Sequence, residues 1–195
     1  AMYHTTVANT LFIITTETVF LAFFGYIYLK EKITLITFIS ILLGMSGVLL
    51  ILGSSLSIQT SEQFLGNIIA FIMPISFAVL IIIVRKYPNV DMVPAQFSAG
   101  VFAAFIGYYF AEKLSVSFHD LRLGIYAGVF QIGFGFILIT IGSRTTPAAV
   151  VGVLMLTEAV MGPILAWIFI NEIPPVFVII GGGIIIFAIF FEFFF

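Results

Sequence analysis

Seven stretches of mostly apolar residues follow one another along this chain: Val7 to Leu29, Thr34 to Leu52, Phe64 to Val84, Val93 to Ala111, Leu123 to Ile141, Pro147 to Ile170 and Pro175 to about Phe194. A run of roughly 17 to 25 such residues can cross about 30 Å of hydrocarbon as a helix. All 7 lysines and arginines fall between these stretches, where a charge can reach water. Barrel strands would be shorter and polar on one face, so helices are the reading. In lipid, only a helix satisfies every backbone hydrogen bond within one segment. The expected fold is an all-α, polytopic membrane helix bundle. Composition agrees, with 62% hydrophobic and 8% charged residues and a mean hydropathy of +1.28, outside the range of ordinary soluble domains.

Several function classes drop out early. There is no cysteine, and the two histidines, His4 and His119, lie outside the spans, so no ligand set for a metal is present. No cofactor is expected. A net charge of -2 with no basic patch does not suit nucleic acid. The partners expected are the lipid bilayer and a small-molecule substrate, with protons as a candidate coupling ion. Lys30, Lys32, Arg85, Lys86 and Arg144 fall on one side of the alternating spans, against Lys113 and Arg122 on the other. By the positive-inside rule the first set is cytoplasmic, so the chain starts outside and ends inside.

Two glutamates sit near the middle of apolar spans, Glu17 in TLFIITTETVFLAFF and Glu158 in VVGVLMLTEAVMGPILAW. Ionisable groups at that depth are costly and point to function. They lie 141 positions apart, and Glu31 and Glu172 at the ends of the same spans share that spacing. The same shift pairs Thr5 with Thr146, Ala8 with Ala149, Thr16 with Thr157, Val19 with Val160, Ile27 with Ile168 and Ile39 with Ile180. Four of the 7 glutamates therefore fall in register. The first and sixth spans are equivalent, and an odd period inverts the second copy in the membrane. A second copy opening near Gly66 expects a first copy that opens before Ala1, so the chain reads as seven helices of an inferred ten.

The segment Glu158-Ala-Val-Met-Gly-Pro-Ile-Leu-Ala-Trp-Ile-Phe-Ile-Asn-Glu172, followed by Pro174-Pro175 and Gly181-Gly182-Gly183, resembles the ninth and tenth helices of EamA-type proteins of the drug/metabolite transporter superfamily. Pro147-Ala148-Ala149 fits the same pattern, Thr16 to Phe20 through Lys30-Glu31-Lys32 resembles helix four, and Gly66-Asn67 resembles the opening of the second repeat. The resemblance implies that residues 1–54 hold helices four and five of a first repeat, 55–65 an external linker and 66–195 helices six to ten of an inverted five-helix repeat. It also implies a transporter of the bacterial inner membrane, exporting amino acids or related metabolites. One departure stands out: where many relatives carry proline after the mid-helix glutamate, this chain has Thr18 and Ala159, with Pro163 further along.

The candidate binding or coupling residues are Glu17, Glu158, Thr10, Gln131 and Ser76. On a continuous helix Thr6, Thr10, Glu17 and Tyr28 lie within about 20° of one meridian, a polar stripe suited to a cavity. Glu158 has Gly162 one turn away, which leaves open volume beside its carboxyl. Two carboxyls in one low-dielectric cavity are expected to hold a proton or the amine of a substrate; simple hydrogen bonding between helices is the structural alternative. Gln131 lies mid-span with Gly124, Gly128 and Gly135 on its face, and Ser76 lies near Pro74, whose missing N–H frees the Ala70 carbonyl. Glu31 and Glu172 read as structural, each stabilising the start of the following helix. Gly44, Gly47 and Gly181 to Gly183 read as close-packing surfaces, and Trp167 is placed away from Glu158.

Secondary transport by alternating access around a midplane cavity is the leading function. A seven-helix receptor or sensor is the alternative from another class, although no lysine lies within a span to hold retinal. An intramembrane hydrolase is not expected, since Asp91, Asp120 and both histidines fall in loops and leave no triad at depth.

Overall fold

The computed structural model of the 195-residue chain describes residues 7–52, 61–111, 117–171 and 173–195. Its helices are α1 (Val7–Thr15), α2 (Glu17–Tyr28), α3 (Leu35–Leu52), α4 (Ser61–Ala70), α5 (Ile72–Lys86), α6 (Val93–Phe110), α7 (Phe118–Tyr126), a π-helical stretch (Ala127–Phe134), α8 (Gly135–Ser143), α9 (Ala148–Met155), α10 (Thr157–Ile170) and α11 (Val176–Phe194). Among the described residues, 7 helical runs are long and apolar enough to cross a membrane. They coincide with the seven spans read from the sequence, so the protein is a multi-pass helical membrane protein. Ser61 to Leu65, expected in the external linker, form the first turns of α4; most of that linker lies outside the described residues.

Three spans are interrupted near their middles. Between α1 and α2 the Thr15 and Thr16 hydroxyls donate back to the carbonyls of Phe12 and Ile13 at 2.7 and 2.5 Å. Such back-bonding competes with the helix ladder. The Thr16 N–H accordingly turns to Ile13 O at 3.1 Å, three residues back instead of four. The repeat-related site behaves alike, with Leu156 N–H on Val153 O at 3.3 Å just before α10. Thus both breaks arise within two residues of a mid-membrane glutamate, without the proline that many relatives carry after it. The third break, at Phe71 between α4 and α5, lies four residues before Ile75 and beside Pro74, where the sequence anticipates a freed carbonyl.

The chain forms two compact units, Ala1–Ile83 with Thr146–Phe195, and Val84–Thr145. In the smaller unit Arg144 bridges Asp91 at 3.0 Å, and Arg85 Nη1 donates to the Arg144 carbonyl at 2.8 Å. Gln96 donates to the Thr140 hydroxyl, and Ser117 caps α7 by accepting from the Asp120 N–H at 3.1 Å. These polar contacts tie the helix ends together. Helices α6 and α7 and the π-helical stretch bury none of their residues within the chain.

The larger unit is organised by the 141-residue repeat. Shifting α1, α2 and α3 by that amount lands on α9, α10 and α11 within a residue or so at every boundary. The backbone agrees in detail, since the two non-glycine residues with positive φ among those described are Lys30 at 56° and Asn171 at 57°, also 141 apart. Each terminates its span in the left-handed conformation that commonly closes helices. Helices α3 and α11 form the most extensive contact in the unit. A Cβ at Gly44 would touch Ala188, one at Gly47 would touch Ile185, and one at Gly181 would touch Ile51, while Thr37 donates to Glu192 at 2.9 Å. As one helix advances the other retreats, so the pair is antiparallel and the repeat inverted. Lipid offers little hydrophobic drive for helix association, and small residues that let backbones approach take its place. Val48, Ile51, Leu156, Val160 and Ile185 close over this crossing as its core.

Candidate functional site

Everything that shapes the site follows from how α1, α2, α9 and α10 pair within the larger unit. Helices α2 and α9 lie in close contact. The Thr18 hydroxyl donates to the Gly152 carbonyl at 2.9 Å, and a Cβ on Gly152 would stand 2.9 Å from the Thr18 Cα. One turn earlier on α9 and about two turns later on α2, a Cβ on Gly25 would come within 3.1 Å of the Ala148 Cβ. Only glycine permits this approach.

The end of the contact is latched by a carboxylate. With Lys30 left-handed, the Leu29 and Glu31 N–H groups both reach back to the Gly25 carbonyl, at 3.1 and 3.2 Å, and close the helix end. That fold of the chain sets Glu31 Oε2 on the Ala148 N–H at 2.8 Å. A carboxylate there satisfies an orphan donor and the helix dipole together. The sequence reading assigned Glu31 to the start of the next helix; the structure assigns it to α9, because the left-handed turn at Lys30 aims the side chain across the bundle. Its counterpart Glu172 lies outside the described residues.

By the repeat, the counterpart of the α2–α9 pair is α10 with α1. These two helices line a cavity of about 650 Å³ in the half of the unit away from Lys30. Glu17, Thr15, Thr18, Leu11, Glu158 and Gly162 are among its lining residues, with the end of α3 and the start of α11 completing it. A second, smaller recess of about 270 Å³ lies at the Lys30 end, lined in part by Gly25, Glu31, Thr37 and Glu192. The two share no lining residue.

Glu17 is 5% exposed, whereas Glu158 is exposed. Among the described residues neither carboxyl takes a hydrogen bond, unlike Glu31 and Glu192, which do. Around Gly162 a Cβ would meet nothing within 4 Å, so the volume expected beside Glu158 is there.

The EamA-like transporter family matches this sequence over residues 1–53 and 61–194. The chain belongs to that family. An uncharacterized transporter from Methanothermobacter thermautotrophicus is 28% identical over 177 residues, covering 86% of this chain and 51% of the relative. The chain thus spans about half the length of the curated relative it matches. A crystal structure with 16% sequence identity superposes at a TM-score of 0.87, over 97% of this chain and 68% of that one, a likeness of fold.

Of the residues singled out from the EamA-like sequence, Glu17 and Glu158 come together in the cavity. Thr10 is 1% exposed and does not line it. The polar stripe that joined Thr10 to Glu17 assumed one continuous helix, and the turn at Thr16 resets the phase. Ser76 is exposed on α5 and is not among the lining residues. Gln131 belongs to the other unit, exposed on the π-helical stretch, and Trp167 is exposed away from the cavity. Sequence reasoning passed over Thr15 and Thr18. The Thr-Thr-Glu-Thr run was the available signal, since threonines beside a buried glutamate can break a helix as proline does.

Proposed function

We propose that the chain is the larger part of a secondary transporter that moves a small metabolite by alternating access. One observation carries this: two carboxyls related by an inverted repeat face one cavity, on the side where α1 and α10 stand apart, while their repeat mates α9 and α2 are closed. Inverted repeats that pack differently at their two ends are the structural basis for exchanging one open end for the other. The Lys30 end is cytoplasmic by its basic residues, so the cavity belongs to the external half, in a bacterial inner membrane. Residues 1–54 then supply helices four and five of ten, and 66–195 the second repeat. Export of an amino acid or related compound fits this arrangement, with a proton or the substrate amine neutralising the carboxyls in turn. Membership of a transport family supports neither a receptor nor an enzyme.

Glu17→Gln and Glu158→Gln keep the side-chain shape and remove the charge. In vesicles carrying the full-length protein, each is expected to insert normally and to lower substrate flux by about tenfold or more, the scale of one charge-assisted hydrogen bond. Wild-type flux in both variants would reduce the pair to structural groups.

A further inference from the structure

We infer that the cavity selects an organic monocation with an apolar body, an amine without a carboxylate, over the corresponding zwitterion; this rests on the transport reading above and narrows its substrate. The first observation is the state of Glu17. It is 95% buried by its 5% exposure, faces the cavity and has no hydrogen-bond partner among the described residues. Buried carboxylates are otherwise paired or hydrogen-bonded. Its carboxyl opens to the cavity, so a group held there is placed to complete it.

The second observation is the chemistry of the rest of the lining. Among the described residues, Glu17 and Glu158 are the charged ones that line it. Hydroxyls come from Thr15 and Thr18, and Thr18 is already committed to Gly152. The other walls are Leu11, Ile14, Ile51, Leu52, Met155 and Leu156, with small residues and prolines. Among the described lining residues a ligand carboxylate meets no basic side chain. The nearest alternative anion sites are the helix N-termini created by the two breaks, and each carries its own acid, Glu17 opening α2 and Glu158 in the first turn of α10. An anion approaching either one meets a like charge, which costs affinity. An ammonium meets two carboxyls, and its hydrocarbon meets aliphatic side chains. The volume of about 650 Å³ is that of a pocket for a small organic ligand.

Three probes with one apolar body separate the possibilities: 2-phenylethylamine, phenylalanine and phenylacetate carry net charges of about +1, 0 and −1 near neutral pH. Binding to the full-length protein in detergent is measured by calorimetry, and flux of the same probes in vesicles. The amine is expected to bind about tenfold or more tightly than phenylalanine, with no binding of phenylacetate. Glu158→Gln, at an exposed position that tolerates change, and Glu17→Gln should each weaken the amine by a similar factor and phenylalanine by less. Phenylalanine binding as tightly as the amine, or amine affinity unchanged in both variants, overturns the inference. Phenylalanine flux without amine flux also overturns it and leaves the transport reading standing. Charge-selective binding of the amine with no flux of any probe upholds the selectivity and overturns transport instead.

Discussion

Replacing Gly152 with leucine, the residue that its repeat mate Leu11 already is, is expected to open the Lys30 end of the protein and cut transport by about tenfold or more. A Cβ at position 152 would stand 2.9 Å from the Thr18 Cα, 3.1 Å from its carbonyl oxygen and 3.2 Å from its methyl group. Two of those three are backbone atoms and cannot swing aside. Overpacking of this kind costs about 1 to 3 kcal/mol, and each 1.4 kcal/mol moves a two-state equilibrium by about a factor of ten. The strain exists only while α2 and α9 are closed, so under the proposed alternating access the variant escapes it by opening that end. On the opposite side the mate positions hold Leu11 and Ala159, both lining the cavity. That side lacks both the glycine and the Thr18 hydroxyl, which is why the structure closes at one end and not the other. A cysteine replacing Met155 in the cavity reports the change in a chain with no other cysteine. An impermeant maleimide should label it from the cytoplasmic face only when Gly152→Leu is present. Labelling that stays confined to the outer face would mean the α2–α9 contact does not hold that end shut.

A larger loss of stability is expected at Gly47, where no alternative state relieves the strain. Its added Cβ would lie 2.6 Å from the Gly181 carbonyl oxygen and 2.7 Å from Ile185 Cγ1. The reverse contact is identical in kind, since a Cβ on Gly181 would lie 2.6 Å from the Gly47 carbonyl oxygen and 2.7 Å from Ile51 Cγ1. The two glycines thus let the α3 and α11 backbones meet directly at this crossing. Gly47→Ala should therefore lower stability by roughly 2 kcal/mol, and Gly47→Leu should leave no monodisperse folded protein. Gly183→Ala is the control on α11, because a Cβ there meets nothing within 4 Å. Equal damage at Gly183 and Gly47, measured as loss of cooperative unfolding in detergent, would show that glycine content rather than the crossing matters.

The features legible in the sequence were those set by hydrophobicity and by scarce charges. Span length and the position of lysine and arginine were enough to locate all seven membrane-length helices, because lipid tolerates little else. The repeat was visible through its glutamates, and the structure adds the matching left-handed residues Lys30 and Asn171, whose identities differ and whose backbone does not. What was hidden depended on packing between distant helices. Nothing near Glu31 in the chain says that its partner is Ala148, since the contact exists only once α2 and α9 lie side by side. The break at Thr16 was hidden for a different reason: threonine is an acceptable helix residue until its hydroxyl finds a carbonyl three residues back, and that choice displaced Thr10 from the expected stripe. Glu17 and Glu158, singled out by depth and symmetry, both line the cavity, whereas Thr10 and Ser76 do not.

The most direct measurement follows both ends of the larger unit at once, by spin-label distances between Leu11 and Ala159 at the cavity and between Tyr26 and Val150, which line the recess at the Lys30 end. In the wild-type protein the first distance is expected to be long and the second short. Introducing Gly152→Leu should lengthen the second and shorten the first together, the reciprocal motion of an inverted repeat that opens one end as it closes the other. A second distance that lengthens while the first stays unchanged would contradict alternating access and reduce the α2–α9 contact to local packing.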